Sequence, residues 1–292
     1  MIRRVGLWPM RVVWLTLPAC VAPGFGAALS THGEPVRFVA MTLAWAAWVG
    51  PLSALLIPRS IGLTALRIVA PAALGLGIWI ALDADVSTTS RMVALLAVLV
   101  AALGAFAPAT GELLVDGSSY GDEHRVLLRA PLALWFGPIP IAWSILVGCS
   151  VGGPLLLAAE QWIAGVIMTA VAAGGGRFLV NRLHQLSRRW LVFVPAGVVI
   201  HDPFTLAEPV LLPRRLLRSV GPAPADNPAL DLTAGAPGLA LELATVEPIV
   251  LTPARAGEEP TPLGVSSTLV TPTRPGHTLG IARERRLPVG WI

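Results

Sequence analysis

The chain has 292 residues, of which 54% are hydrophobic and 13% charged. Soluble globular chains carry roughly 25% charge, so half that fraction, with a mean hydropathy of +0.71, excludes an ordinary soluble enzyme and points to a membrane protein. The net charge is only +4, and the arginines and aromatics do not cluster as nucleic-acid binding requires.

All 21 basic residues are arginine, asparagine occurs only at Asn181 and Asn227, and tyrosine only at Tyr120. This is the imprint of a GC-rich genome, so the abundance of Arg, Ala, Gly and Pro says little about function. Cys20 and Cys149 both lie in apolar runs. They form neither a disulfide framework nor a zinc site, which takes about four ligands.

Arg3, Arg4 and Arg11 precede the first apolar run, and Leu17-Pro18-Ala19-Cys20 has the outline of a lipoprotein cleavage box. The apolar stretch between Arg11 and Pro18 is shorter than a signal-peptide core of about 7–15 residues. The segment therefore reads as an uncleaved first helix.

A bilayer core near 30 Å thick takes about 20 apolar residues of helix. Val12–Leu29, Phe38–Ile57, Ile61–Leu82 and Met92–Ala109 supply four such runs. Pro131–Ala159 carries no charge at all and predicts a fifth span plus a Gly-Gly-Pro break at Gly152–Pro154. A sixth lies within Leu155–Leu179. Prolines inside these runs are tolerated where neighbouring helices satisfy the freed backbone groups, which predicts a bundle and not isolated anchors.

Arginine sets the expected orientation, because short cytoplasmic loops retain positive charge. One side receives Arg3, Arg4, Arg11, Arg59, Arg67, Arg125 and Arg129, then Arg177, Arg182, Arg188 and Arg189 after span six. The other receives only Arg37 and Arg91, among His32, Glu34, Asp83 and Asp85. Six spans with both termini cytoplasmic, in the plasma membrane, fit this pattern.

Trp190–Ile200 is too short for a seventh span and has Pro195-Ala196-Gly197 at its centre. Pro-X-Gly between β-branched runs is turn chemistry, so Val192–Val194 and Val198–Ile200 read as a hairpin. Strand signals continue at Thr205–Leu212, Leu239–Ala244 and Glu247–Leu251, while Ala254–Ser267 reads as a loop and Thr278–Arg286 as a short closing helix. The expected fold is an all-α bundle of six transmembrane helices over 1–180, followed by a small cytoplasmic mainly-β domain over 181–292.

The stretch WLVFVPAGVVIHDPFTLAEPVLLPRR resembles the signature of a family of actinobacterial integral-membrane proteins, a likeness that extends to LDLTAGAPGLALEL and LVTPTRPG. The order strand, turn, strand, then LLPRRLLRSVG, is also similar to bacterial pleckstrin-homology-like domains attached to membrane helices. Neither resemblance implies an activity, a cofactor or a set of catalytic residues.

Few residues carry chemistry. Glu160 and Arg67 are the ionisable groups nearest the bilayer, where such groups mark functional sites by default. Glu160 reads as an outer-boundary residue beside Trp162, with helix packing and ion or proton coupling as alternatives. Arg67 reads as snorkelling to the cytoplasmic surface. Arg177, Arg182, Arg188 and Arg189 accompany Leu179, Leu183, Leu186 and Trp190 at helical spacing, an arrangement suited to anionic lipid.

The loop Gly111–Arg129 holds Glu112, Asp116, Asp122, Glu123 and His124 but matches no metal-ligand spacing, and reads as solvated. His201-Asp202 lacks a nucleophile and reads as a turn starter. His277 lies in a loop, and Thr261-Pro262 after Glu258-Glu259 has the form of a kinase target. No catalytic, cofactor or metal motif appears.

The reading is a non-catalytic membrane protein whose β domain meets a protein partner or the lipid surface, with no nucleic acid involved. A transporter or transport-complex subunit using Glu160 is the first alternative. A membrane enzyme acting on a lipid-linked substrate is the second.

Overall fold

The computed structural model describes residues 6–224, 226–254 and 260–290; Arg3, Arg4, Glu258 and Glu259 lie outside them. The chain divides into two compact units, Met1–Leu114 with Ile139–Leu183 and Val115–Pro138 with His184–Ile292.

The first unit is built on long apolar helices: α1 Trp8–Ala28, α2 Glu34–Leu56, α3 Ser60–Leu82 and α4 Thr88–Phe106. A short α5, Pro108–Asp116, leads out of it. A helical turn, α6 Leu132–Trp135, then precedes α7 Pro138–Ala158 and α8 Trp162–Leu186. Counting α6 and α7 together, six segments are long and apolar enough to cross a membrane. Large apolar side chains such as Phe38, Leu103 and Ile163 point outward, 66–82% exposed, as expected of surfaces facing lipid. This is a multi-pass membrane protein.

Helix α1 packs against α4, α4 against α3, and α3 against α2. Close approach is purchased with small residues, as is general between helices in lipid: a Cβ on Gly77 of α3 would collide with the Val98 side chain of α4. Proline supplies the second device. Pro18 has no amide to offer the carbonyl of Trp14, one turn earlier, and that oxygen instead accepts the indole N–H of Trp48 at 2.8 Å. Trp14 reciprocates, donating to the Trp48 carbonyl at 2.9 Å. The pair ties α1 to α2 and satisfies, across helices, a group that Pro18 leaves open.

Gly152–Pro154 does not break the fifth span as expected; all three residues lie inside α7. The glycines serve packing instead. A Cβ on Gly153 would sit 2.8 Å from the backbone nitrogen of Thr169 in α8, so the sequence mark of a break is the contact surface of a helix pair. The last helix accordingly starts later than Leu155 and runs on to Leu186.

The second unit contains two four-stranded sheets. The first has the order β1-β2-β3-β4, from His124–Leu127, Trp190–Val194, Gly197–His201 and Val210–Pro213, all antiparallel. The second has β5 Leu217–Pro222, β7 Leu241–Leu251, β8 Leu263–Val270 and β6 Leu230–Asp231 in that spatial order, with β6 parallel to β8. Helix α9, Pro275–Glu284, follows. Alternate residues of both sheets, among them Leu191, Phe193, Ile200, Val220 and Leu243, share one core with Leu279 and Ala282 of α9.

The hairpin at Pro195-Ala196 forms as its residues dictate, with Val194 paired to Gly197. Gly197 has φ +150°, and any Cβ there would strike the carbonyl oxygen of Leu212. Only glycine fits between the turn and β4.

Three expectations are corrected. The Gly111–Arg129 loop is not wholly solvated: it contributes β1, whose Val126 and Leu127 are buried against β2. The β unit is consequently discontinuous in sequence, with α7 and α8 between its first two strands. The stretch read as a loop through Ser267 contains the start of β8, an antiparallel partner of β7. Glu247–Leu251 and Leu239–Ala244 are also not separate strands, since one bulged strand, β7, runs through both.

Candidate functional site

Arg67 lies seven residues into α3, about 10 Å along the axis at 1.5 Å per residue. Its guanidinium carbon is 5.9 Å from the centre of the Phe106 ring, the last residue of α4. Nε is buried and, among the described residues, finds no hydrogen-bond partner. Arg11, near the start of its helix, donates through Nε to the Leu55 carbonyl; Arg91 donates through Nη2 to the Ala84 carbonyl, its Nε being likewise without a partner among the described residues. Arg67 is therefore a cation packed in the bundle against the Phe106 ring, with one enclosed donor open.

Glu160 sits in the turn between α7 and α8 and is exposed. Its φ is +61°. The amide of Gln161 bonds the Leu156 carbonyl at 2.8 Å and that of Glu160 bonds the Leu157 carbonyl at 3.1 Å. This pair of bonds is the Schellman helix ending, with Glu160 at the left-handed position usually held by glycine. Its backbone thus has a defined task, ending one helix so that Trp162 can begin the next.

Arg177 and Arg182 lie in the C-terminal half of α8, and Arg188 just past its end; all three are exposed. Arg182 caps the ring of Phe178 at 4.9 Å. From Gln161 to His201 the chain has no acidic residue, so local carboxylates do not neutralise this basic run. Trp190 leaves the expected helical series, because α8 stops at Leu186 and Trp190 opens β2.

Arg189 does not belong with these exposed arginines. Its side chain is 1% exposed and forms a two-pronged ion pair with Asp202. The remaining donors reach the Arg129 carbonyl at 2.8 Å and the Leu232 carbonyl at 3.4 Å, while the ring of Phe204 lies 5.7 Å from the guanidinium carbon. A buried cation demands this degree of pairing. Asp202 also accepts from the Phe204 amide and the Thr205 hydroxyl, the bonds of a turn starter. His201 contributes no base: its ring stacks on Trp190 at 4.8 Å, and Nδ1 donates to the Arg188 carbonyl at 2.9 Å.

The structure also gathers residues that lie far apart in sequence. Asp116, at the end of α5, is 3.4 Å from Nδ1 of His124 on β1. The His124 ring lies 6.2 Å from that of His277 on α9, and Asp122 pairs nearby in sequence with Arg285 at 3.0 Å. The His277 imidazole titrates below the usual histidine range. Burial is the main cause, helped by the charges of Arg274 and His124 and opposed by Glu284 and Asp116. Among the described residues no group of three or more His, Cys, Asp or Glu has an arrangement that would hold a metal ion. The cluster fastens β1 to α9. Sequence reading marks each histidine but gives no reason to join them, because they belong to segments some 150 residues apart.

Comparison with protein-family models, curated proteins and solved structures gives no match.

Proposed function

We propose that this protein catalyses no reaction and that its six-helix bundle holds the β unit at the cytoplasmic face of the plasma membrane, where a protein partner pairs with the outer edge of β8. The observation carrying this reading is the distal β7–β8 hairpin. β5 accompanies β7 only from Leu241 to Thr245, and β6 meets β8 only at Thr268 and Leu269. Further out, Ile249–Leu251 and Val265–Leu263 pair with each other, and no other strand is bonded to the edge of β8 there among the described residues. Val246 and Val250 are each 66% exposed and Leu263 43%. An unpaired strand edge with apolar side chains is a template for strand addition by another chain.

The arginine distribution supports the cytoplasmic placement. The pairing of β1 with β2 adds, independently of charge, that both parts of the β unit share a side. A folded sheet cannot straddle a bilayer, so the segment before α7 and the segment after α8 occupy one side. The strand–turn–strand of β2 and β3, and the step Pro213-Arg214-Arg215 leading into β5, support a pleckstrin-homology-like reading. The exposed Arg177, Arg182 and Arg188 suit a surface of anionic lipid.

Two measurements test the proposal. In a chain with Cys20 and Cys149 replaced by serine, cysteines at positions 120 and 290 should react with an impermeant maleimide only after permeabilisation; labelling in intact cells would sink the orientation. A protein co-purifying with the full chain should be lost from a Val250→Glu/Leu263→Glu variant that still extracts as a monodisperse species. Retention of all co-purifying proteins would remove the β8 edge as the docking surface.

A further inference from the structure

We infer that Arg67 binds the phosphate group of a membrane phospholipid. Several observations converge on this. Arg67 belongs to the N-terminal third of a spanning helix, and side chains on a helix lean towards its N-terminus. Its stem therefore carries the guanidinium towards the nearer membrane surface, the direction in which long basic side chains reach the headgroups. Helix α4 packs antiparallel beside α3, so its last residue, Phe106, lies at that same end, and its ring, 5.9 Å away, supports the guanidinium. Nε is enclosed without a partner among the described residues.

A guanidinium placed at this depth, with its Nε enclosed and without a partner among the described residues, calls for an anion. Of the anions at a bilayer surface, phosphate is the one that every phospholipid carries, and its oxygens match the guanidinium fork. Two other arginines near helix starts each reach a backbone carbonyl, Arg11 through Nε to Leu55 and Arg91 through Nη2 to Ala84. The inference rests on the chain being embedded in a bilayer and is independent of which side the β unit occupies, so the labelling result above decides nothing about it.

The test uses the full chain purified from membranes in mild detergent and examined by native mass spectrometry during stepwise delipidation. The wild type should keep one phospholipid after bulk lipid is gone. Arg67→Gln should lower that retention about tenfold or more, the size expected when a hydrogen-bonded charge is lost. Arg67→Lys, which keeps the charge and loses the fork, and Phe106→Leu, which removes the supporting ring, should each fall between the two and guard against a misfolded glutamine variant. Equal retention in wild type, Arg67→Gln and Arg67→Lys would overturn the assignment. So would an equal loss in Arg182→Gln, which would mark the binding as diffuse surface attraction. Thermal stabilisation by inorganic phosphate matching that by added phosphatidylglycerol would show that the site takes a free anion and not a lipid.

Discussion

Arg189 and Asp202 meet through two parallel bonds, Nε to Oδ1 at 2.9 Å and Nη2 to Oδ2 at 2.7 Å, at a position closed to solvent. The pair stands one step beyond the last bonded residues of the β2–β3 hairpin, Trp190 and His201. From there Arg189 reaches the chain after β1 and the chain after β6. One side chain thus links four segments of the β unit.

Removing either partner leaves the other charge buried and unanswered. Arg189→Met should cost about 3–5 kcal/mol of stability, read as a lowered denaturation midpoint of the purified chain. Asp202→Ala should cost more than Asp202→Asn, because alanine also abandons the Phe204 amide and Thr205 hydroxyl. The double variant Arg189→Met/Asp202→Leu should recover part of the loss, the behaviour of a buried ion pair replaced by apolar groups.

The Trp14–Trp48 exchange makes a coupled prediction. Trp48→Phe should lower the thermal stability of the bundle by about 1 kcal/mol, the net value of a hydrogen bond. Pro18→Ala returns an amide to the Trp14 carbonyl, so the same Trp48→Phe change in that background should cost clearly less. Additive effects of the two substitutions would show that the carbonyl freed by proline is not what Trp48 serves.

At Glu160 the backbone, not the carboxylate, is under constraint. A side chain in the left-handed region costs about 1 kcal/mol relative to glycine. Glu160→Gly should therefore raise the melting temperature of the full chain, whereas Glu160→Gln should leave it unchanged. Loss of a proton-dependent flux in reconstituted vesicles carrying Glu160→Gln would instead give the carboxylate a transport role.

Much of the architecture was legible because it follows from two lengths: the thickness of a bilayer and the two-residue turn at Pro195-Ala196. What stayed hidden depended on partners distant in sequence. The four residues of β1 carry no signal by themselves inside an acidic loop, and become a strand only beside β2. Arg189 looks like one more arginine after a span. Yet the hairpin register, carried one step outward, already sets it opposite Asp202. The Glu160 turn was hard to read because a non-glycine residue occupies a glycine position, and the start of β8 because Pro and Gly surround it.

His277 gives the β unit a pH dependence. Its folded-state titration lies below the ordinary histidine value of about 6.5, so the folded form resists the proton that the unfolded chain accepts. Stability is then complete above about pH 6.5 and declines as the pH falls through and below it. Unfolding midpoints measured from pH 8 to pH 5 should show this decline, and His277→Gln should flatten it. An unchanged slope in the variant would assign the acid sensitivity to other groups.

The discontinuity of the β unit predicts how fragments behave. A fragment from Ser187 to the C-terminus lacks β1, and with it Val126, Leu128 and the Arg129 carbonyl that Arg189 uses. It should aggregate or melt without cooperativity. Residues 115–131 joined to its front by a flexible linker should give a cooperative, β-rich melt. A well-folded short fragment would show that β1 is dispensable.

That same discontinuity orders events at the ribosome. β1 is made before α7 and α8, and its partner β2 after both. The first strand must wait, uncovered, while the last two helices are threaded across the bilayer and back. A chain that completes only one of those crossings strands the two halves of the sheet in separate compartments, and the core around Phe193 never closes. The finished sheet thus certifies that the final pair of helices was inserted, and a chain that fails is left displaying an unfolded segment for cellular proteases to recognise.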